Sequence, residues 1–299
     1  MKKLACTQGM MFGAPEIAVI ETTNRCNLDC IMCYKHEYLK ETGDMDFELF
    51  KQIAQRIKGT RHICCHGGGE PLLHPRIVEM INYVHDTCNP ETLSITTNGT
   101  LLDRKMAAKL RASKLNMLFV SIDGTSKETY ESIRGTSFER VVENVRYFNS
   151  ISRIPTVIQF TAMKQNLASL LELPKLASYM RAEKINVQHL LAWNVQAEKM
   201  KILDLYDEFE RVREQTMQEA AKYRIECSIP PIPQLDTCDL PFNQLYFNFK
   251  GGIAPCCVAI HITLEKSFRK INGKNIRNWR RRVFQGDWPD ECRQFCYVT

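Results

Sequence analysis

The chain has 299 residues, 44% of them hydrophobic and 25% charged, with a formal net charge of +6. That balance describes a globular protein with one large core, or a core plus a small appendage, and excludes extensive disorder. No run reaches the ~20 apolar residues a membrane-spanning helix needs, and the weakly signal-like N-terminus is broken by Thr7, Gln8 and Gly9, so the expected location is cytoplasmic.

In chain order, apolar β-rich runs at residues 16–21, 62–65, 92–97, 117–122, 156–161 and 185–190 alternate with helical periodicity near 47–58, 75–85, 103–110, 138–148 and 167–181. Six alternations predict an α/β fold with a parallel sheet and crossover helices, whose chemistry gathers at the C-terminal strand ends. Periodicity alone leaves a doubly wound sheet and a barrel-like sheet both open. A further helix is predicted over 203–226, ended by the proline-rich Ser228-Ile229-Pro230-Pro231-Ile232-Pro233. Beyond Cys238 the pattern changes to a hairpin, 243–250 and 253–258 around Gly251-Gly252, and then a basic helix near 276–284. The expected division is a core over 14–227, a linker over 228–237 and a small cysteine-rich domain over 238–299.

Thirteen cysteines are an odd number, and they fall in local groups that suit metal ligation better than long-range disulfides. Cys6, Cys64, Cys65, Cys88 and Cys227 read as buried small hydrophobes or incidental thiols. The basic groups Lys266-Arg269-Lys270 and Arg277-Arg280-Arg281-Arg282 come without a nucleic-acid-binding motif. The second group reads as a solvated helix face or as a dock for an acidic electron donor.

Cys26, Cys30 and Cys33 place three soft ligands in the loop after the first strand. A 4Fe-4S cluster held by three thiolates keeps one iron open to a small molecule. The plainer alternative is zinc completed by His36 or Cys65. The segment His66-Gly67-Gly68-Gly69-Glu70-Pro71 follows the second strand and allows close backbone approach. Thr96-Thr97-Asn98-Gly99 and Ser121-Ile122-Asp123-Gly124 follow the third and fourth strands, where short polar side chains either meet a ligand or form local turns.

The CxxxCxxC run resembles the signature of the radical S-adenosylmethionine (radical SAM) superfamily, with Met32 where an aromatic residue often stands. The resemblance implies an open six-unit (β/α)6 partial TIM barrel, a 4Fe-4S cluster on Cys26, Cys30 and Cys33, and reductive cleavage of SAM to a 5'-deoxyadenosyl radical. Gly68-Gly69-Glu70-Pro71 resembles the family's GGEP motif, which implies a hold on the SAM amino group by Gly68, Gly69 and Glu70. Asn98, Ser121 and Asp123 are then expected at the ribose or amino-acid part of SAM, and Arg134 at its carboxylate, unless it forms a surface salt bridge. His66 is left as a polar residue near the opening, and Gln159, Thr161, Gln188 and His189 as weaker contacts.

The tail, with Cys238, Cys256, Cys257, Cys292 and Cys296, resembles the SPASM/twitch extensions of radical SAM enzymes. Five cysteines imply one auxiliary 4Fe-4S cluster rather than two, with the choice between Cys256 and Cys257 open and a structural zinc site as the alternative. The implied electron donor is a reduced flavodoxin or ferredoxin-like protein. Modification of a ribosomally made peptide is the leading expectation, although no peptide-recognition domain is expected ahead of the first strand. Dehydrogenation, epimerisation or decarboxylation of a small sugar-like or nucleoside metabolite is the alternative, and a non-enzymatic iron-sulfur electron-transfer or scaffold protein is the third reading.

Overall fold

The computed structural model describes residues 14–232 and 238–296, so Cys6 and residues 233–237 of the expected linker lie outside the described residues. The first half runs β1 (Ile17–Ile20), α1 (Lys35–Tyr38), α2 (Phe47–Arg56), β2 (His62–Cys64), α3 (Ile77–Cys88), β3 (Thr92–Thr97), α4 (Arg104–Arg111) and β4 (Met117–Ser121). It continues with α5 (Lys127–Arg134), α6 (Phe138–Ile151), β5 (Thr156–Ala162), α7 (Ser169–Met180), β6 (Lys184–His189), α8 (Val195–Met200), α9 (Tyr206–Lys222) and β7 (Glu226–Ser228). The tail adds α10 (Leu240–Asn243), β8 (Gln244–Phe247), β9 (Ile253–Ala254), α11 (Lys274–Gln285) and α12 (Asp290–Phe295).

The nine strands among the described residues form one sheet in the order β7-β6-β5-β4-β3-β2-β1-β8-β9. Every neighbouring pair is parallel except β8 and β9. Strand residues alternate between faces. Ala18, Ile20, Ile63, Ile95, Leu118, Val120, Ile158, Phe160 and Ile185 point to one face and share a core with Phe50, Ile53, Val84, Leu110, Val145, Leu173 and Phe209 from the helices. Each large apolar side chain fully buried there contributes roughly 1.5–3 kcal/mol of transfer free energy. The alternate residues Cys64, Phe119, Ser121, Gln159, Asn186 and Gln188 are half-buried or exposed. Helices covering a single face exclude the doubly wound arrangement, which needs them on both, and leave the other face as the inner wall of an open barrel.

The six expected strands and their helices are present. Sequence periodicity missed α5, a short helix capped by Ser126, whose hydroxyl accepts from Thr129 N at 3.2 Å. The helix predicted over 203–226 stops at Lys222, because Arg224 takes φ +57° and Glu226–Ser228 pairs with Lys184–Asn186 as an edge strand. The tail hairpin is shorter than predicted, and its first strand lies parallel to β1, with Gln244 opposite Ile17 and Phe247 opposite Ile20. The barrel sheet and the extension are thus continuous through backbone hydrogen bonds. Among the described residues no helix is long and apolar enough to cross a membrane.

Candidate functional site

The loop after β1 is fixed along most of its length. Asn24 exchanges hydrogen bonds with the 41–43 segment, its Nδ2 donating to Glu41 O at 2.7 Å and its Oδ1 accepting from Gly43 N at 2.8 Å. Arg25 grips Asp44 through two nitrogens at 2.9 and 2.7 Å. Ile31 N donates to Ile133 O at 3.1 Å and Cys33 N to Cys30 O at 3.0 Å. Three thiols follow from this scaffold. Burial pushes the Cys26 thiol up and the Cys33 thiol up to about 11, with Lys35 acting in the opposite sense on both. Asn98 Nδ2 lies 3.9 Å from Cys26 Sγ and Arg134 Nη1 lies 3.8 Å from Cys30 Sγ. Soft donors with N–H groups and a cation around their sulfurs fit a thiolate-bound iron-sulfur cluster, whose iron cations would ionise the buried thiols on coordination. His36 instead meets the Cys30 carbonyl at 3.0 Å, and Cys65 is fully buried in the helix-side core. Among the described residues no three His, Cys, Asp or Glu side chains converge as a single-ion site.

The glycines after β2 serve the approach of protein to protein. A Cβ on Gly68 would fall 1.6 Å from the Tyr34 hydroxyl, and one on Gly69 would fall 2.5 Å from Arg25 O and 2.6 Å from Thr23 O. The loop therefore seats directly on the cysteine loop, and Glu70 N completes the contact at 2.8 Å from Arg25 O. The Glu70 carboxylate is buried and accepts from Leu72 N at 3.0 Å, Thr97 Oγ1 at 2.8 Å and Asn98 N at 2.7 Å. Burial raises it to about 7 against these hydrogen bonds. Sequence reasoning missed Glu21, whose carboxylate accepts from Gly68 N at 3.0 Å, Tyr246 Oη at 2.7 Å and Phe249 N at 3.0 Å, tying β1, the glycine loop and the tail hairpin together. A carboxylate closing an otherwise apolar strand was its only sequence signal.

Asn98 turns its amide toward the cysteine loop, with Nδ2 3.0 Å from Asn27 Oδ1, while its Oδ1 accepts from Thr100 N and Oγ1. Asp123 and Arg134, expected as separate cofactor contacts, form a buried ion pair with each other. Asp123 also accepts from Thr161 N at 2.7 Å. Burial works against the Arg134 charge, but Asp123 and the Cys30 sulfur outweigh it and hold the guanidinium protonated. Ser121 stands on the inner wall in register with Gln159. Along that wall Asn186 Nδ2 donates to Gln159 Oε1 at 2.8 Å and Gln188 Nε2 to Thr161 Oγ1 at 3.1 Å. His189 points the other way, where its ring lies 5.2 Å from that of Phe209. His66 continues the inner-wall alternation of His62 and Cys64, and its Nδ1 is buried with no hydrogen-bond partner. Burial lowers the imidazole to about 4.

In the tail, Cys296 lies within electrostatic reach of Cys256, Cys292 and Cys238, and Cys238 within reach of Cys256. Cys256 is buried and its sulfur accepts from Ala259 N at 3.5 Å. Cys257 is exposed, and its electrostatic neighbours are Cys256, Cys64 on the inner wall and Cys296. Four rings that the sequence did not single out span the space between the two cysteine groups. Tyr34, next to Cys33, lies 5.7 Å from Trp193; Trp193 lies 6.4 Å from Tyr38; and Tyr38 lies 4.4 Å from His261. Tyr38 and Trp193 pack with Cys256 and Cys296. Of the thiols expected to be incidental, Cys65 and Cys88 are buried, whereas Cys64 and Cys227 are partly open.

An open parallel barrel with three thiols after β1, a glycine loop after β2 and a cysteine-rich extension defines a radical SAM-type architecture. Residues 20–177 match the radical SAM superfamily, and the chain belongs to it. It is a radical SAM enzyme, of the class that binds SAM at a 4Fe-4S site and cleaves it to a 5'-deoxyadenosyl radical. It is 26% identical over 289 residues to the tungsten-containing aldehyde ferredoxin oxidoreductase cofactor-modifying protein of Pyrococcus furiosus, covering 91% of this chain and 80% of that one. It is 31% identical over 185 residues to the AdoMet-dependent heme synthase of Methanosarcina barkeri, covering 60% of this chain and about half, 52%, of the relative. Among solved structures, Streptococcus suis SuiB superposes with a TM-score of 0.72 at 18% identity, over 93% of this chain and 68% of that one. At that identity the likeness is one of fold, and it extends through the SPASM/twitch-like tail.

Proposed function

We propose that this enzyme acts on a peptide, with Cys26, Cys30 and Cys33 as the ligands of the catalytic 4Fe-4S cluster and one auxiliary 4Fe-4S cluster on Cys238, Cys256, Cys292 and Cys296. The bound cluster and SAM would supply a one-electron reductive cleavage and a carbon-centred radical that removes hydrogen from the substrate. The chain's own residues orient and enclose. Glu70 joins the glycine loop to the end of β3 and so sets Asn98 against the cysteine loop. Arg134, held by Asp123, keeps positive charge beside Cys30 and acts as a positioning residue. Gly68 and Gly69, packed on the cysteine loop, would offer SAM their backbone, and Ser121 would offer its hydroxyl from the end of β4. A reduced flavodoxin or ferredoxin-like donor with an acidic surface would supply the electron, with the basic face of α11 as its complement.

The observation that carries the peptide reading is the inner wall, where Ser121, Gln159, Thr161, Asn186 and Gln188 present amides and hydroxyls without a net charge. Such groups match the alternating donors and acceptors of a peptide backbone. SuiB has been crystallised with its precursor peptide SuiA, and anSMEcpe with AdoMet and a peptide, on this same fold. The test is to incubate the anaerobically reconstituted enzyme with SAM, a strong reductant and either precursor peptides or small sugar and nucleoside metabolites. A peptide that raises deoxyadenosine formation and returns with a changed mass supports the reading. Stimulation by small metabolites alone overturns it.

A further inference from the structure

We propose that the outer helix layer carries a binding site for a phosphate dianion, held by Arg104 and Arg181 and separate from the barrel chemistry. A cavity of about 360 Å³ opens where the first residue of α4, the central and last turns of α6 and the C-terminal cap of α7 come together. None of its lining residues belongs to the cysteine loop, the glycine loop or the inner wall. Its volume falls in the range of roughly 300–1,000 Å³ usual for small-molecule sites.

The charge of the cavity selects the ligand. The guanidinium groups of Arg104, Arg146 and Arg181 line it against the single carboxylate of Glu143. Arg146 and Glu143 offset each other: Arg146 Nη1 lies 3.8 Å from Glu143 Oε1, and Tyr179 Oη accepts from Arg146 Nη1 at 3.1 Å while donating to Glu143 Oε1 at 3.3 Å. Among the described residues Arg104 and Arg181 have no carboxylate partner. Two positive charges are therefore left unmatched at one cavity, where a carboxylate ligand would cancel only one. A phosphate dianion cancels both, and its oxygens accept the paired N–H groups of a guanidinium fork.

Both arginines are placed by their surroundings. The Arg104 guanidinium lies over the Tyr147 ring, 4.8 Å from its centroid. Arg181 caps α7 at φ +58°, with its N–H directed to the Ala177 and Ser178 carbonyls. Glycine or asparagine ordinarily takes a left-handed cap, because a β-carbon crowds the following carbonyl there. A cation favoured by the helix end could stand anywhere in the last turn, so the helix itself does not call for arginine at this position. Ser150 Oγ donates to Tyr147 O at 2.7 Å and Asn144 Nδ2 to Gly99 O at 2.9 Å, which leaves Ser150 Oγ and Asn144 Oδ1 as acceptors for the hydroxyl groups of a sugar attached to the phosphate.

The test is isothermal calorimetry on the anaerobically reconstituted full chain, with saturating SAM and no reductant so that the barrel site is occupied. Ribose 5-phosphate and inorganic phosphate are the probes, and ribose is the uncharged control. Wild type should bind ribose 5-phosphate at one site per chain and ribose not at all. Arg104→Gln and Arg181→Asn should each raise the Kd by roughly tenfold or more, the loss expected for one charge-assisted partner. Arg181→Asn keeps a residue suited to the left-handed cap, so its melting temperature without ligand should equal or exceed that of wild type, which separates lost binding from lost folding. Tighter binding of ribose 5-phosphate than of inorganic phosphate assigns the site to a small ester, and equal binding assigns it to the free ion. No heat from either phosphate, or the same Kd in wild type and both variants, overturns the assignment.

Discussion

The two cysteine groups are built from opposite materials. Cys26, Cys30 and Cys33 sit in a loop whose backbone is held by side chains and carbonyls from residues 41–44, Thr100 and Ile133, so its shape is set by polar contacts within the barrel. Cys238 and Cys292 instead pack against Phe242, Trp279, Val283 and Trp288, a cluster separate from the main core. A loop pinned by hydrogen bonds keeps its geometry whatever occupies it, whereas a small apolar cluster has little burial of its own to set against chain entropy. On the proposed ligation, metal at the tail would be part of folding and metal at the barrel part of chemistry.

The largest effect that can break this contrast is removal of ligands. A Cys26/Cys30/Cys33 triple alanine should lose all deoxyadenosine formation and fall from roughly eight irons to four, four per cluster, while its thermal unfolding stays close to wild type. Cys292→Ser should lose the other share of iron and lower the melting temperature measurably, because its loss leaves the Phe242 and Trp279 cluster unsupported. Iron analysis with calorimetry checks both, and equal melting shifts in the two variants would remove the distinction.

Next in size is the buried pair beside the barrel site. Asp123→Ala leaves the Arg134 guanidinium enclosed without its counter-charge, and breaking such a pair costs about 3–5 kcal/mol. Denaturant unfolding should register that loss, and Arg134→Met in the same background should recover much of it, since the double variant removes the unpaired charge. Additive losses would show that the two residues act independently.

The six strands and most of their helices were legible because alternation and helical periodicity are local signals, and the three-cysteine loop because its spacing is contiguous. What stayed hidden depends on long-range meetings. Asp123 and Arg134 each look like independent ligand contacts, and only the fold of α5 brings them together. Glu21 and Tyr246 meet across 225 positions. Cys256 and Cys257 have the same interval from a glycine, and the burial of the one and the exposure of the other are a difference that no spacing encodes.

The smallest effect sharpens the comparison most. Asn98 is the amide link between the end of β3 and the cysteine loop, with Nδ2 on Asn27 and near the Cys26 sulfur, and Oδ1 on Thr100. Asn98→Ala removes those bonds without removing a ligand, so stability should fall by only ~1 kcal/mol, the net worth of such hydrogen bonding. N–H groups beside thiolate sulfurs also tune a cluster's potential. A redox titration followed by EPR should therefore show the barrel signal shifting to lower potential in N98A while the tail signal stays in place, because Asn98 reaches only the polar loop. A shift of both signals together would mean that the two sites share one electrostatic environment, and the division between a polar catalytic setting and an apolar structural one would fail.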